Sequence, residues 1–222
     1  MNYTHITFIM DRSGSMNSIK DDAIGGINNL VETQRLEAGK CTMSFIQFDD
    51  IYEEVYSFVP IADVPLRNNQ NYTPRGGTAL LDAIGRGLAT TKEQLAGMPD
   101  EERPGVVMIA ILTDGHENQS KEYTRSQIRE LIESVSKELD WKVSYLGATL
   151  DAMNVAADLG VNPAMAARFA AESSNAQAAY GSHSNMVTRA RKAGAAGQSI
   201  TPESIGYTTG ERGLMVENPK KK

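Results

Sequence analysis

Three segments place oxygen-bearing side chains at spacings that could build one site. "IMDRSGSM" (9–16) ends an apolar run in Asp11 and then sets Ser13 and Ser15 at the same parity. In extended backbone, positions i, i+2 and i+4 point the same way. Gly14 lets the chain tighten without a side chain in the way. In "RGGTALLD", Thr78 stands where a loop enters a helix, behind Gly76-Gly77. "ILTDGHEN" ends the strongest apolar run in Thr113-Asp114, with Gly115 to turn away. The candidate set is Asp11, Ser13, Ser15, Thr78 and Asp114, two carboxylates and three hydroxyls. Hard oxygens without Cys or His select Mg²⁺, with Mn²⁺ or Ca²⁺ as alternatives. The carboxylates match a dication's charge, but the hydroxyls are neutral, so the ion stays electrophilic. Such a site gains from one more anionic oxygen, supplied by a partner's Asp or Glu.

The elements that must position this set alternate. "ITFIM" (6–10) and "GVVMIAIL" (105–112) are apolar-rich runs of the kind found in strands buried on both faces. Ile19, Ala23, Ile27, Leu30 and Val31 recur at helical spacing over 17–37, with Gly39 as the stop. Gly25-Gly26 inside that helix costs about 1 kcal/mol per glycine against alanine, and close approach to the sheet is a reason to keep them. "CTMSFIQFD" and "YEEVYSFV" form a hairpin that adds one antiparallel edge strand. A long polar loop (63–77) precedes a helix marked by Leu81, Ile84, Leu88 and Leu95. Ile128 to Leu139 mark another helix, "KVSYLGA" a strand, and "DAMNVAADLG" a short helix with Asp151 to cap it and Gly160 to end it. A last strand lies within 164–169 and a last helix over about 174–193. This order predicts an α/β fold: a doubly wound, Rossmann-like open sheet, mostly parallel, with helices on both faces. In such sheets ligands sit beyond the carboxyl ends of the strands, where all three segments end.

The totals narrow the function classes. At 222 residues with 41% apolar and 23% charged residues, the chain has the composition of an ordinary globular domain. Net charge is −6. From Arg189 onward seven basic residues stand against three acids, which leaves 15 basic and 25 acidic residues before it. The body is therefore acidic, which argues against nucleic acid as the main ligand. No apolar run reaches a membrane span. The start reads as a first strand rather than a signal peptide, and the single Cys41 suits a reducing compartment; both point to a cytoplasmic protein. The boundaries expected are a domain over 1–194 and a C-terminal extension over 195–222, flexible or ordered by a partner.

"DRSGSM", "GGTALLDAI" and "ILTDGHEN", in this order and at these strand ends, resemble a von Willebrand factor type A (vWA) domain. The matching pattern is its metal-ion-dependent adhesion site (MIDAS), Asp-x-Ser-x-Ser with a distant Thr and Asp, and it carries over to Asp11, Ser13, Ser15, Thr78 and Asp114. The resemblance covers about residues 3–193. It implies a Mg²⁺-dependent protein-binding module without catalytic residues, of a kind found in bacterial and phage proteins, whose metal shell is completed by a partner's acid.

Other roles weigh against each feature. Asp and Ser also cap turns and helices, and Thr78 suits a helix N-cap. Asp82 is explained by a helix dipole. His116, Glu117 and Asn118 fall at the rim as solvated residues, and Arg12 is placed to meet a partner's acid or only solvent. "GRGLAT" mimics a dinucleotide motif without its strand–turn context. Two further functions compete with the binding module. A Mg²⁺-dependent phosphotransferase of haloacid dehalogenase type also starts from an Asp at the first strand, but carries an acid two positions later where this chain has Ser13. A phage or bacterial structural or assembly component would use the ion only to hold the fold or a subunit contact.

Overall fold

A computed structural model describes residues 2–216. Its strands are β1 (Tyr3–Asp11), β2 (Lys40–Phe48), β3 (Tyr52–Pro60), β4 (Val106–Thr113), β5 (Lys142–Gly147) and β6 (Ala166–Arg168). The helices are α1 (Lys20–Leu36), α2 (Leu80–Ala96), α3 (Arg125–Glu138), α4 (Ala152–Asp158), α5 (Ser173–Ala195), α6 (Pro202–Ile205) and α7 (Thr209–Val216). The sheet order is β3-β2-β1-β4-β5-β6. All neighbours are parallel except β2 and β3, which form the expected antiparallel hairpin at one edge. The first connection leaves β1 for β2 and the later ones move out the other way. The strand order therefore reverses beside β1, between β1 and β4, where a doubly wound sheet opens a crevice at its carboxyl edge.

β1 and β4 are buried along their whole length, as unbroken apolar runs require when both faces are covered. Adjacent residues of β1 identify the two layers. Phe8 meets the ring of His183 on α5, whereas a side chain on Gly87 of α2 would run into Ile9. Successive strand residues point to opposite faces, so α5 and α2 lie on opposite sides of the sheet. Gly85 and Gly87 of "GRGLAT" serve this packing: a Cβ on Gly85 would collide with the Tyr123 ring.

Gly26 differs from expectation. It keeps α1 close to α5, not to the sheet, because a methyl there would stand 2.6 Å from Tyr180 Cβ. Gly25 is exposed and faces open space. Asp151 occupies the N-cap position of α4 but makes no side-chain cap bond, while Gly160, at φ +79°, ends that helix as expected.

The segment after 194 also departs from expectation. Over 195–216 it is packed on the domain: Ile205, Tyr207 and Met215 are buried, and Arg189 of α5 holds Glu211 of α7 at 3.0 Å. Arg212 donates to the carbonyls of Ala166 and Pro163 at the far edge of the sheet. Three isolated apolar residues give no periodicity to read, and their contacts are with residues distant in sequence. The remainder of the expected extension, 217–222, lies outside the described residues. No helix among the described residues is long and apolar enough to cross a membrane.

Two histidines are buried in this core. His5 lies between Thr42 and Thr7 and stacks on Phe58. His183 contacts the Tyr207 hydroxyl at 3.0 Å. Burial pushes His5 down to about 3 and His183 down to about 4. Both folded values lie below the unfolded one, so the unfolded chain takes up protons first. Their contribution is whole above about pH 6.5 and is lost as the pH falls toward 4 and then 3. Each is expected to remove up to about 1.4 kcal/mol per pH unit in that window. Urea unfolding of wild type and His183→Gln from pH 7 to 4.5 checks this; equal slopes would refute the assignment.

Candidate metal centre

The carboxyl ends of β1 and β4 are neighbours in the sheet, and their last side chains meet. Asp11 is fully buried. Its Oδ1 accepts from the Ser13 backbone N–H at 2.6 Å, and its Oδ2 accepts from Thr113 Oγ1 at 2.6 Å. Ser13 Oγ lies 3.1 Å from Ser15 Oγ, and Ser15 Oγ donates to Asp114 Oδ1 at 2.6 Å. Four of the five candidates are thus linked by hydrogen bonds. Thr78 completes the group. A Cβ built on Gly115 would stand 2.8 Å from Thr78 Oγ1, 3.4 Å from Ser15 Oγ and 3.5 Å from Asp11 Oδ2. Oxygens from two of the segments therefore face one small volume beside the third, which only a glycine leaves free.

The loops are locked to each other by backbone bonds. Gly14 N–H donates to the Gly76 carbonyl and Arg75 N–H to the Arg12 carbonyl. Asn118 Oδ1 accepts from Thr78 N–H, and the Asn118 N–H donates back to the Thr78 carbonyl. The donor set fits a hard dication: it holds two carboxylates, three hydroxyls and no softer atom. Among the described residues no group of three or more His, Cys, Asp or Glu forms an alternative metal site. Burial raises the Asp11 carboxyl despite its hydrogen bonds, and the charge of Asp49 adds to this. Burial, then the nearby charge of Asp11, pushes Asp114 up to about 6. Both effects come from burying negative charge, and a bound cation would oppose them. Asp11, Ser13 and Thr78 are buried, whereas Ser15 is exposed and Asp114 half-buried, so the cradle opens to solvent on one side.

The flanking residues are more structural than their sequence indicates. Arg12 is 5% exposed, because Asp49 and Glu53 hold its Nε and Nη1 at 3.0 and 2.5 Å; those two nitrogens are paired within the chain. Thr78 does not cap α2; its first-turn N–H groups are met instead by Glu117, accepting from Leu81 N–H at 3.0 Å, and by Ser120 Oγ, accepting from Asp82 N–H at 3.1 Å. Glu117 also accepts from Gln119 and Ser120. Asp82 anchors the loop after β4 by accepting three backbone N–H bonds, from Lys121, Glu122 and Tyr123. Partial burial opposes its charge, yet these bonds hold its carboxyl below the usual range. His116 stays a largely exposed rim residue, 3.8 Å from Asp151, and Asn118 is exposed although bonded to Thr78.

Two supports of the site escape sequence reasoning. Thr113 holds Asp11 in place, and its position directly before Asp114 is its only signal. Tyr72 is fully buried within the polar 63–77 loop and donates to the Asp11 carbonyl at 2.6 Å. One tyrosine among Asn and Gln was the available clue.

No family model matches the sequence, and no curated protein does. Solved structures do match the fold. Proximal thread matrix protein 1 (PTMP1) from the mussel byssus is 15% identical over 84% of this chain and 46% of its own, with a TM-score of 0.56; the same protein is also solved with a zinc-occupied MIDAS motif. A von Willebrand factor type A structure from Catenulispora acidiphila is 14% identical, with a TM-score of 0.56, over 85% of this chain and 42% of its own. The vWF domain of the type V pili tip protein Mfa5 from Porphyromonas gingivalis is 12% identical, with a TM-score of 0.60, over 89% of this chain and 97% of its own. The chain thus spans less than half of the mussel and Catenulispora structures but nearly all of the Mfa5 domain. With its reversed strand order and single antiparallel edge, and with these likenesses over most of its length, the chain has the von Willebrand factor type A fold.

Proposed function

We propose that this chain is a protein-binding module, not an enzyme, whose oxygen cradle holds a divalent ion, Mg²⁺ by the hardness of its donors, for completion by a partner's Asp or Glu. The observation that carries this is the convergence of Thr78, Ser15 and Asp11 oxygens on the volume above Gly115, with one side open. The ion supplies an electrophilic point that a carboxylate can reach. Asp11 and Asp114 supply its countercharge, and Ser13, Ser15 and Thr78 add neutral oxygens that leave it short of electrons. Thr113 and Tyr72 keep Asp11 aimed. The position where a phosphotransferase of haloacid dehalogenase type keeps its general acid is Ser13, a poor proton donor at neutral pH. The zinc-occupied MIDAS motif of PTMP1 supports a divalent ion on this fold.

The test is capture of partners by wild type and by Ser13→Ala/Ser15→Ala, each with Mg²⁺ and after metal removal. Partners are expected only with wild type in Mg²⁺; the same partners under all four conditions would refute the metal bridge. Phosphatase activity that disappears in Asp11→Asn would overturn the non-enzymatic assignment.

A further inference from the structure

Beside the ion loop, Arg12, Arg67 and Arg75 line a pocket of about 320 Å³ together with Gln47, Glu53 and Asn71. Arg12 and Arg67 are each 5% exposed. Asp49 and Glu53 pair with Arg12, and Asp49 also takes Arg75. Arg67 pairs with no carboxylate among the described residues. Its guanidinium lies instead 5.3 and 5.7 Å from the ring centroids of Phe45 and Tyr56. Nε and Nη1 of Arg67 and Nη2 of Arg12 are buried without a hydrogen-bond partner. The position of Arg67 is built, not incidental: its backbone N–H donates to Asn28 Oδ1 and its carbonyl accepts from Asn28 Nδ2, at 2.7 and 2.9 Å.

Of the three guanidinium groups, Arg67 alone has no carboxylate at ion-pair distance among the described residues. A buried charge is ordinarily paired, and each buried donor left unbonded costs about 1–3 kcal/mol. One monoanion would correct both deficits. A guanidinium fork matches the two oxygens of a carboxylate. Gln47 gives its amide N–H to Glu53 at 3.0 Å, while its own Oε1 is buried without a partner. The pocket lining therefore holds an unpartnered acceptor as well as unpartnered donors, a set suited to a carboxylate with an N–H next to it.

We propose that this pocket, centred on Arg67, binds a carboxylate that has an adjacent N–H, the chemistry of a peptide C-terminus or an N-acylated amino acid. It does so without help from the metal centre.

The experiment uses the full chain stripped of metal, so its outcome is separate from that of the metal bridge. N-acetylglycine is titrated while the side-chain amide resonances of Gln47 and Asn71, which line the pocket and persist in every Arg67 variant, are followed by NMR. A saturating shift is expected, about tenfold weaker in Arg67→Lys, which keeps the charge but loses the fork, and absent in Arg67→Gln. N-acetylglycinamide, which lacks the carboxylate, should not compete. A glycine-ending pentapeptide that binds as tightly as N-acetylglycine identifies a protein C-terminus as the source; its exclusion identifies a small N-acyl amino acid. No saturation, unchanged affinity in Arg67→Gln, or tighter binding of inorganic phosphate overturns the proposal.

Discussion

Gly115→Ala is expected to weaken Mg²⁺ and Mn²⁺ binding at least about tenfold, or about 1.4 kcal/mol, although it alters none of the five oxygen-bearing residues. The added methyl would stand 2.8 Å from Thr78 Oγ1 and 3.4 Å from Ser15 Oγ, so Thr78 must turn away from the volume the ion needs. The backbone at Gly115 does not require glycine, since its φ is outside the left-handed region, and the fold should survive. Ser13→Ala/Ser15→Ala and Asp114→Asn remove donors outright and should cost about a hundredfold, or about 2.7 kcal/mol. Calorimetric titration of each variant with Mn²⁺, alongside urea unfolding, measures both quantities. If Gly115→Ala binds like wild type, the ion does not sit among Thr78, Ser15 and Asp11.

The second large effect concerns two adjacent glycines of α1 with opposite outcomes. Gly26→Ala is expected to destabilise the domain by about 2–3 kcal/mol, because overpacking a rigid contact costs that much. The methyl would meet Tyr180 at its Cβ and ring; Tyr180 is fully buried in α5, and turning its side chain cannot move the Cβ out of the way. Gly25→Ala points its methyl into open space and should stabilise by up to about 1 kcal/mol from helix propensity alone. Urea midpoints of the two variants check this directly. Shifts of the same sign would mean that α1 and α5 do not pack as described.

Much of this architecture was legible because it rests on local patterns. The unbroken apolar runs of β1 and β4 identified strands covered on both faces. The alternating "CTMSFIQFD" and "YEEVYSFV" gave the antiparallel edge. Periodic Ile and Leu gave α1, α2 and α3. Whatever depended on long-range partners was illegible: Gly26 and Gly25 look alike until α5 is in place, and Arg12 looks free until Asp49 and Glu53 close on it. Tyr72 in a polar loop, and Ile205, Tyr207 and Met215 beyond residue 194, had no periodicity to announce their burial.

By itself the sequence determined the candidate set, Asp11, Ser13, Ser15, Thr78 and Asp114, and the strand ends and loop at which it stands, because residue type fixes hardness and spacing fixes parity. Only the tertiary structure decided that the Asp11, Ser15 and Thr78 oxygens share one volume above Gly115, that Thr113 and Tyr72 aim Asp11, and that Arg67 is buried without a carboxylate partner among the described residues. The reason is physical. Parity acts along one strand, whereas a cradle and a charge balance are sums over groups that the chain brings together from positions many residues apart.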